Sequence, residues 1–440
     1  MFELSKQDLV VKEVERARAD RIESLTRFSS RMRRFAGMAV AAIALVSMGA
    51  SQQASAQTFT TLHNFSGTDG GHPYANLTMG RGGVLYGTTF RGGLYNDGAV
   101  FKVDASTGKE TVIFSFSGPT GDNPEGGLIM DSKGNLYGTT LNGGAYNDGA
   151  VFKLNPSTKQ ETVIHSFAGL DGLNPFAAPV IDAKGNLYGT TNGGGAFGDG
   201  VVYKIDASTG KETVVYSFFN VNGSYPRSGL IIGRTGNLYG TTLNGGAYGS
   251  GVVYKLNPST GAESVLYNFT GAGGKLPEAK LLKTILGSAA QKALNSGSSD
   301  GGFPYSGLIL DSAGNLYGTT VAGGNAGAGT LYEIDCATGV TTILHSFTGA
   351  DGAAPRGTLI MDSAGNLYGT TIRGGAHNDG VVFEFNRATR KVTVLHSFSG
   401  PDGKDPNGGL ILDGAHTLYG TTERRGAYNY GTVFKIALSH

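Results

Sequence analysis

A single cysteine, Cys336, and no tryptophan occur in 440 residues. An internal disulfide is therefore impossible, and zinc or iron–sulfur ligation by paired cysteines is excluded. Charge is scarce and balanced, with 35 Lys and Arg against 34 Asp and Glu and a formal net charge of +1. No global field recruits nucleic acid or an acidic polymer. The one long apolar run, from Phe35 to about Ala50, is shorter than the roughly 20 residues that cross a bilayer. Abundance lies in glycine, 73 residues, the mark of a turn-rich chain stabilised by packing.

The apolar run has the setting of an export signal. Arg31, Arg33 and Arg34 precede it, and Ala54-Ser55-Ala56 follows as a small-x-small cleavage pattern, which predicts Gln57 as the first mature residue. The mixed charges of residues 1–30 are foreign to such signals, and a start at Met32 would remove them. Residues 1–56 are thus read as the export segment, with no transmembrane anchor in the mature chain. Those residues hold nine Lys or Arg and six Asp or Glu, so residues 57–440 carry 26 against 28, about −2.

Beyond Gln57 the chain is periodic. Leu-Tyr-Gly-Thr-Thr occurs seven times, with tyrosines at Tyr86, Tyr137, Tyr188, Tyr239, Tyr317, Tyr368 and Tyr419; five of the six intervals are 51 residues, and the sixth is 78. The 27 extra residues, about 273–299, form one insertion. Each unit contains four apolar segments bounded by Gly, Asn, Asp or Pro, which predicts a four-stranded antiparallel meander with strands a to d. So small a sheet cannot cover both its faces alone, and radial stacking of such units makes a β-propeller. Seven units predict an all-β, seven-bladed propeller over 57–440.

Ring closure is also legible. The last unit ends at its strand c, Gly431–Ile436, while the mature sequence opens on an orphan strand d, Phe59–Phe65, which would complete the last blade and remove an open edge. The Leu and Tyr of each strand b are expected to pack between blades, with the central glycine making room for a bulky neighbour. The repeated phenylalanines of strand d belong to the same core. His63, His165, His345 and His396 share one strand-d position, which reads as structural.

The unit Asp-x-x-Gly-Asn-Leu-Tyr-Gly-Thr-Thr, then Gly-Gly-x-Tyr-Asn-Asp-Gly-x-Val-Phe-Lys and x-Thr-Val-Leu-His-Ser-Phe, resembles the repeat of bacterial choice-of-anchor tandem repeat GloVer-containing proteins. The likeness covers nearly all of 57–440 and implies an exported repeat protein, with no activity or catalytic residues to carry over. Family members often end in a C-terminal sorting tail, whereas this chain stops about four residues past its last expected strand. The turn is also similar to propeller repeats of bacterial sensors and antibiotic-cleaving lyases. Kelch and WD40 patterns do not fit.

A site in a ring of near-identical blades must break the symmetry. At the position ahead of the repeated Gly-Gly, the b–c loops carry Arg91 in blade 1, Arg373 in blade 6, and Arg424 in blade 7, where Arg425 replaces the first glycine, and these blades become neighbours on closure. Together with Arg356 and Glu423 they predict a cationic sector suited to carboxylate or sulfate, or else solvated loop tips. Tyr95, His377 and Tyr428 in the same loops suit stacking on sugars, or folding of the loop back onto its blade. Residues 273–299 carry Leu281, Leu282, Ile285, Leu286 and Ala289 at helical spacing, which predicts an amphipathic helix on the loop face. No catalytic motif is present and no cofactor is implied. Calcium at paired carboxylates such as Asp69 with Asp97, or Asp351 with Asp379, stays open. The expectation is a monomeric, non-catalytic binding module for an acidic glycan or a protein, with no nucleic acid partner. Its alternative is a propeller lyase or glycoside hydrolase.

Overall fold

In the computed structural model, residues 57–271 and 300–438 are described. The expected export segment and insertion helix both lie outside them. Residues Gln57–Leu438 form one compact unit.

Seven antiparallel sheets carry the strands in meander order, and in the last of them the first strand, Thr58–Asn64, pairs with the final strand, Thr432–Ala437. Phe59 lies opposite Ile436 and Asn64 opposite Thr432. The predicted closure is therefore present. Strand a is shorter than its apolar pattern suggests, only two residues in each blade, as at Ile129–Met130. Its inner end gives way to the turn that lines the ring centre. Blade 6 gains a fifth strand, Ala353–Pro355, where other blades have a single bridge such as Gly71 to Arg91.

Between blades the core is built from strands c and d more than from the strand-b tyrosines. Each strand-d phenylalanine meets the next blade's strand-c aromatic edge to face, from Phe65 on Phe101 at 5.0 Å round to Phe398 on Phe434 at 5.3 Å. Such pairs add about 0.5–1.5 kcal/mol each beyond burial. Tyr137, by contrast, sends its hydroxyl to Asp131 at 3.2 Å, and Asp131 also accepts the Lys133 and Asn135 amides that shape the a–b turn. Tyr188, Tyr317, Tyr368 and Tyr419 make the same contact, so these five brace turns as well as filling space. The strand-b glycine makes room inside its own blade: a Cβ at Gly138 would lie 2.6 Å from Phe152 Cζ, the residue paired with it across the strands.

The first threonine of the motif ties one blade to the next. Thr88 Oγ1 donates to Gly126 O at 2.9 Å, and Thr421 Oγ1 donates to Ala75 O at 3.2 Å across the ring closure.

Candidate functional site

Every blade is entered through a residue followed by proline, and that residue is left-handed in all seven: His72, Asn123, Asn174, Tyr225, Phe303, Ala354 and Asp405, with φ between 53° and 60°. Left-handed backbone is costly for residues other than glycine, so something must hold it. The preceding blade's b–c loop does so. Asn123 N donates to Asp97 O at 2.9 Å, Tyr225 N to Asp199 O at 2.9 Å, and His72 N to Tyr430 O at 2.8 Å. Proline then fixes the next φ, and the side chain after it is delivered to the ring centre.

Those seven delivered residues are Tyr74, Glu125, Phe176, Arg227, Tyr305, Arg356 and Asn407, and all of them line one cavity of about 290 Å³. Equivalent residues from every blade can meet only at the pseudo-sevenfold axis. The small residues behind them, such as Ala75, Gly126, Ser228 and Gly408 or its neighbours, hold the blades close at this point.

The lining has a defined chemistry. Arg227 lies over the Phe176 ring at 4.4 Å, and its Nε donates to Asn192 Oδ1 at 3.2 Å. Arg356 lies over Tyr305 at 4.8 Å, donates to Asn407 Oδ1 at 3.4 Å, and buries an Nε with no hydrogen-bond partner. Among the described residues, ion pairs engage Lys204, Arg387, Lys404, Arg424 and histidines, and neither channel arginine. Tyr305 donates to Glu125 Oε1 at 3.4 Å. Burial pushes the Glu125 carboxyl up to about 7 against the pull of Arg227.

The sequence-derived candidates divide here. Arg356 is in the cavity wall. Glu423 sits just outside it and is buried, taking hydrogen bonds from Tyr74 at 2.8 Å, Asn407 at 2.6 Å and Arg424 at 2.7 Å. Arg424 is thereby committed to an internal carboxylate. Arg91 and Arg424 come together around His72, whose imidazole is held below its usual range chiefly by burial, with both guanidiniums adding to the effect. Arg373 is exposed at the end of its strand b, Leu367–Arg373, opposite Ala353, and Arg425 and His377 are exposed loop residues, as are Tyr95 and Tyr428, 57% and 60% accessible. The loops do fold back on themselves, with Asn96 Oδ1 accepting Gly92 N at 3.2 Å and Asn378 Oδ1 accepting Gly374 N at 2.9 Å. Of the carboxylates considered for calcium, Asp69 and Asp351 turn to His63 and His345, and Asp379 pairs with Lys404.

Sequence reasoning passed over Tyr74, Glu125, Phe176, Arg227, Tyr305 and Asn407. The signal was available, since these positions follow a proline at the repeat spacing and vary from blade to blade.

No curated protein matches the sequence. Several solved structures share the fold. The extracellular domain of a protein described as a hybrid two-component system from B. thetaiotaomicron is 12% identical with a TM-score of 0.53; the likeness covers 86% of this chain but only 39% of that one. An oligogalacturonate lyase in complex with manganese is 13% identical, with a TM-score of 0.54 over 87% of this chain and 93% of its own. The oligogalacturonate lyase of Vibrio parahaemolyticus is 12% identical, with a TM-score of 0.53 over 87% and 94%. The Gloeobacter/Verrucomicrobia repeat model matches residues 50–180, 83–291 and 283–440, and the chain belongs to that repeat family.

Proposed function

We propose that the protein is an exported binding propeller that takes a carboxylate-bearing saccharide end into the axial cavity. The observation carrying this reading is the pair of channel arginines, Arg227 and Arg356, which stack on aromatic rings and have no carboxylate within ion-pairing distance among the described residues. A guanidinium fork takes a carboxylate with two parallel hydrogen bonds, and the Tyr74 ring in the same lining offers an apolar surface for a sugar ring. A cavity of about 290 Å³ is at the small end of ligand sites and suits a chain terminus better than a long polymer. Export is supported by the N-terminal pattern of Arg31, Arg33, Arg34, the apolar run and Ala54–Ala56. No helix among the described residues is long and apolar enough to cross a membrane.

Titration calorimetry with uronic-acid oligosaccharides, their neutral counterparts and sulfated sugars tests the reading. The uronates should bind, the neutral sugars should bind at least tenfold more weakly, and Arg227→Gln with Arg356→Gln should cost about 10–100-fold in affinity. Binding of neutral sugars alone, or uronate binding indifferent to both substitutions, would sink it.

A second reading, cleavage of an acidic saccharide by β-elimination, is favoured by one specific feature. Glu125, pushed up to about 7, sits beside Tyr305 in the same cavity, where a base for a proton next to a neutralised carboxylate would be needed. The oligogalacturonate lyases supply only a likeness of fold to this reading. Release of unsaturated product from uronate oligomers, lost in Glu125→Gln, would replace the binding reading with this one.

A further inference from the structure

Away from the axis, a second set of blade-to-blade contacts breaks the symmetry. At several interfaces a strand-d side chain, an acid or amide of the following turn, and a residue at the start of the next blade's strand d converge. At one interface they are Tyr216, Asn222 and Glu263, a closed hydrogen-bond set with Asn222 Nδ2 donating to Glu263 at 3.0 Å. At another, Phe59 stacks on His396 at 3.8 Å. Among the described residues, two interfaces instead bring together an imidazole and two carboxylates: His63, Asp69 and Glu110 between blades 7 and 1, and His165, Asp171 and Glu212 between blades 2 and 3.

In each of the two sets the ligand atoms all lie within 4.8 Å of one another. His63 Nε2 is 3.0 Å from Asp69 Oδ2, and His165 Nε2 is 3.1 Å from Asp171 Oδ2. An ion about 2.1 Å from both atoms would subtend an angle of roughly 90° there, a normal angle between adjacent ligands. The other carboxylate oxygen is already occupied, since Asp69 Oδ1 accepts from Ser66 N at 2.8 Å and Asp171 Oδ1 from Ala168 N at 2.7 Å. Such outer hydrogen bonds aim the remaining oxygen. Glu110 and Glu212 each bury an Oε1 with no hydrogen-bond partner. Glu161 and Glu263 bury the same orphan oxygen, so it comes with the repeat; what sets Glu110 and Glu212 apart among the described residues is an imidazole and a second carboxylate beside them.

We propose that these two interfaces are binding sites for a divalent first-row transition ion, zinc or manganese, one ion at each. One imidazole nitrogen with two carboxylates suits such ions better than calcium or magnesium, which take oxygen almost alone. On binding, the imidazole carries its proton on Nδ1, so that the Nε2 lone pair faces the ion. The ion would clamp the ring-closing first strand to blade 1 and, at the second site, blade 2 to blade 3.

Equilibrium dialysis of the full chain against about 100 µM free Zn²⁺, and separately Mn²⁺, tests this. A Cys336→Ser background keeps the exposed thiol from taking zinc. The expected result is two ions per chain, one in His63→Ala, one in His165→Ala and none in the double variant, with two retained in Glu161→Gln. Each lost ion should also lose part of a metal-dependent rise of a few degrees in melting temperature. Metal-free melting of the variants shows that they fold. Less than a tenth of an ion bound by the parent chain, or two ions retained by the folded double variant, overturns the proposal.

Discussion

Two positions of the repeat recur at the same spacing and obey opposite rules. The strand-b glycine is the same in every blade, while the residue after each entering proline is Tyr, Glu, Phe, Arg, Tyr, Arg and Asn in turn. The glycine faces a strand-c aromatic of its own blade, a local problem with one solution repeated seven times. The residue after proline faces the axis, where all seven meet and no two need be alike. Packing repeats its answer; a shared cavity composes one from different parts.

The sharpest way to break this contrast is to exchange the two kinds of change. Gly138→Val should lower stability by about 3 kcal/mol by forcing atoms into Phe152 and Leu128, whereas Arg227→Ala should change it by less than about 1 kcal/mol while removing ligand affinity. Chemical denaturation of both variants measures this, and equal losses would erase the distinction.

A smaller effect concerns the orphan carboxylate of an interface without histidine. Burial pushes Glu161 from its ordinary 4.5 up to about 7. The folded state therefore holds this proton more tightly than the unfolded chain, so the associated stability is complete below pH 4.5 and is lost as pH rises through 7. Glu161→Gln should flatten that decline and gain about 1–2 kcal/mol at pH 8, a figure reduced for partial solvent screening. Urea melts at pH 4.5 and 8 decide it, and an unchanged slope refutes it.

The smallest expected effect lies within the repeated core itself. Tyr203, Tyr254 and Tyr332 bury hydroxyls with no hydrogen-bond partner where four other blades have phenylalanine. Tyr254→Phe should raise stability by about 1 kcal/mol, seen as a higher melting temperature. A loss would show that these hydroxyls serve a purpose not visible in their contacts.

Blade number, strand order and closure were readable because a period of 51 residues with apolar segments at fixed offsets admits few packings. Strand a was overread, because its apolar residues pack without pairing along their length. The candidate site was only partly readable. The b–c loops drew attention through their arginines, yet Arg424 is spent on Glu423, and of the arginines singled out only Arg356, from the connection entering blade 6, lines the cavity. Symmetry breaking after the prolines was equally visible, but nothing in the letters said that those side chains point inward.

The chain's own pattern thus determined the ring: which segments become strands, how many blades form, and that the first strand closes the last. Only the tertiary structure decided which varied positions face one another. The reason is geometric, since residues a full repeat or more apart in the chain meet at the axis only after a left-handed bend, held by the neighbouring blade's loop, turns each of them toward it.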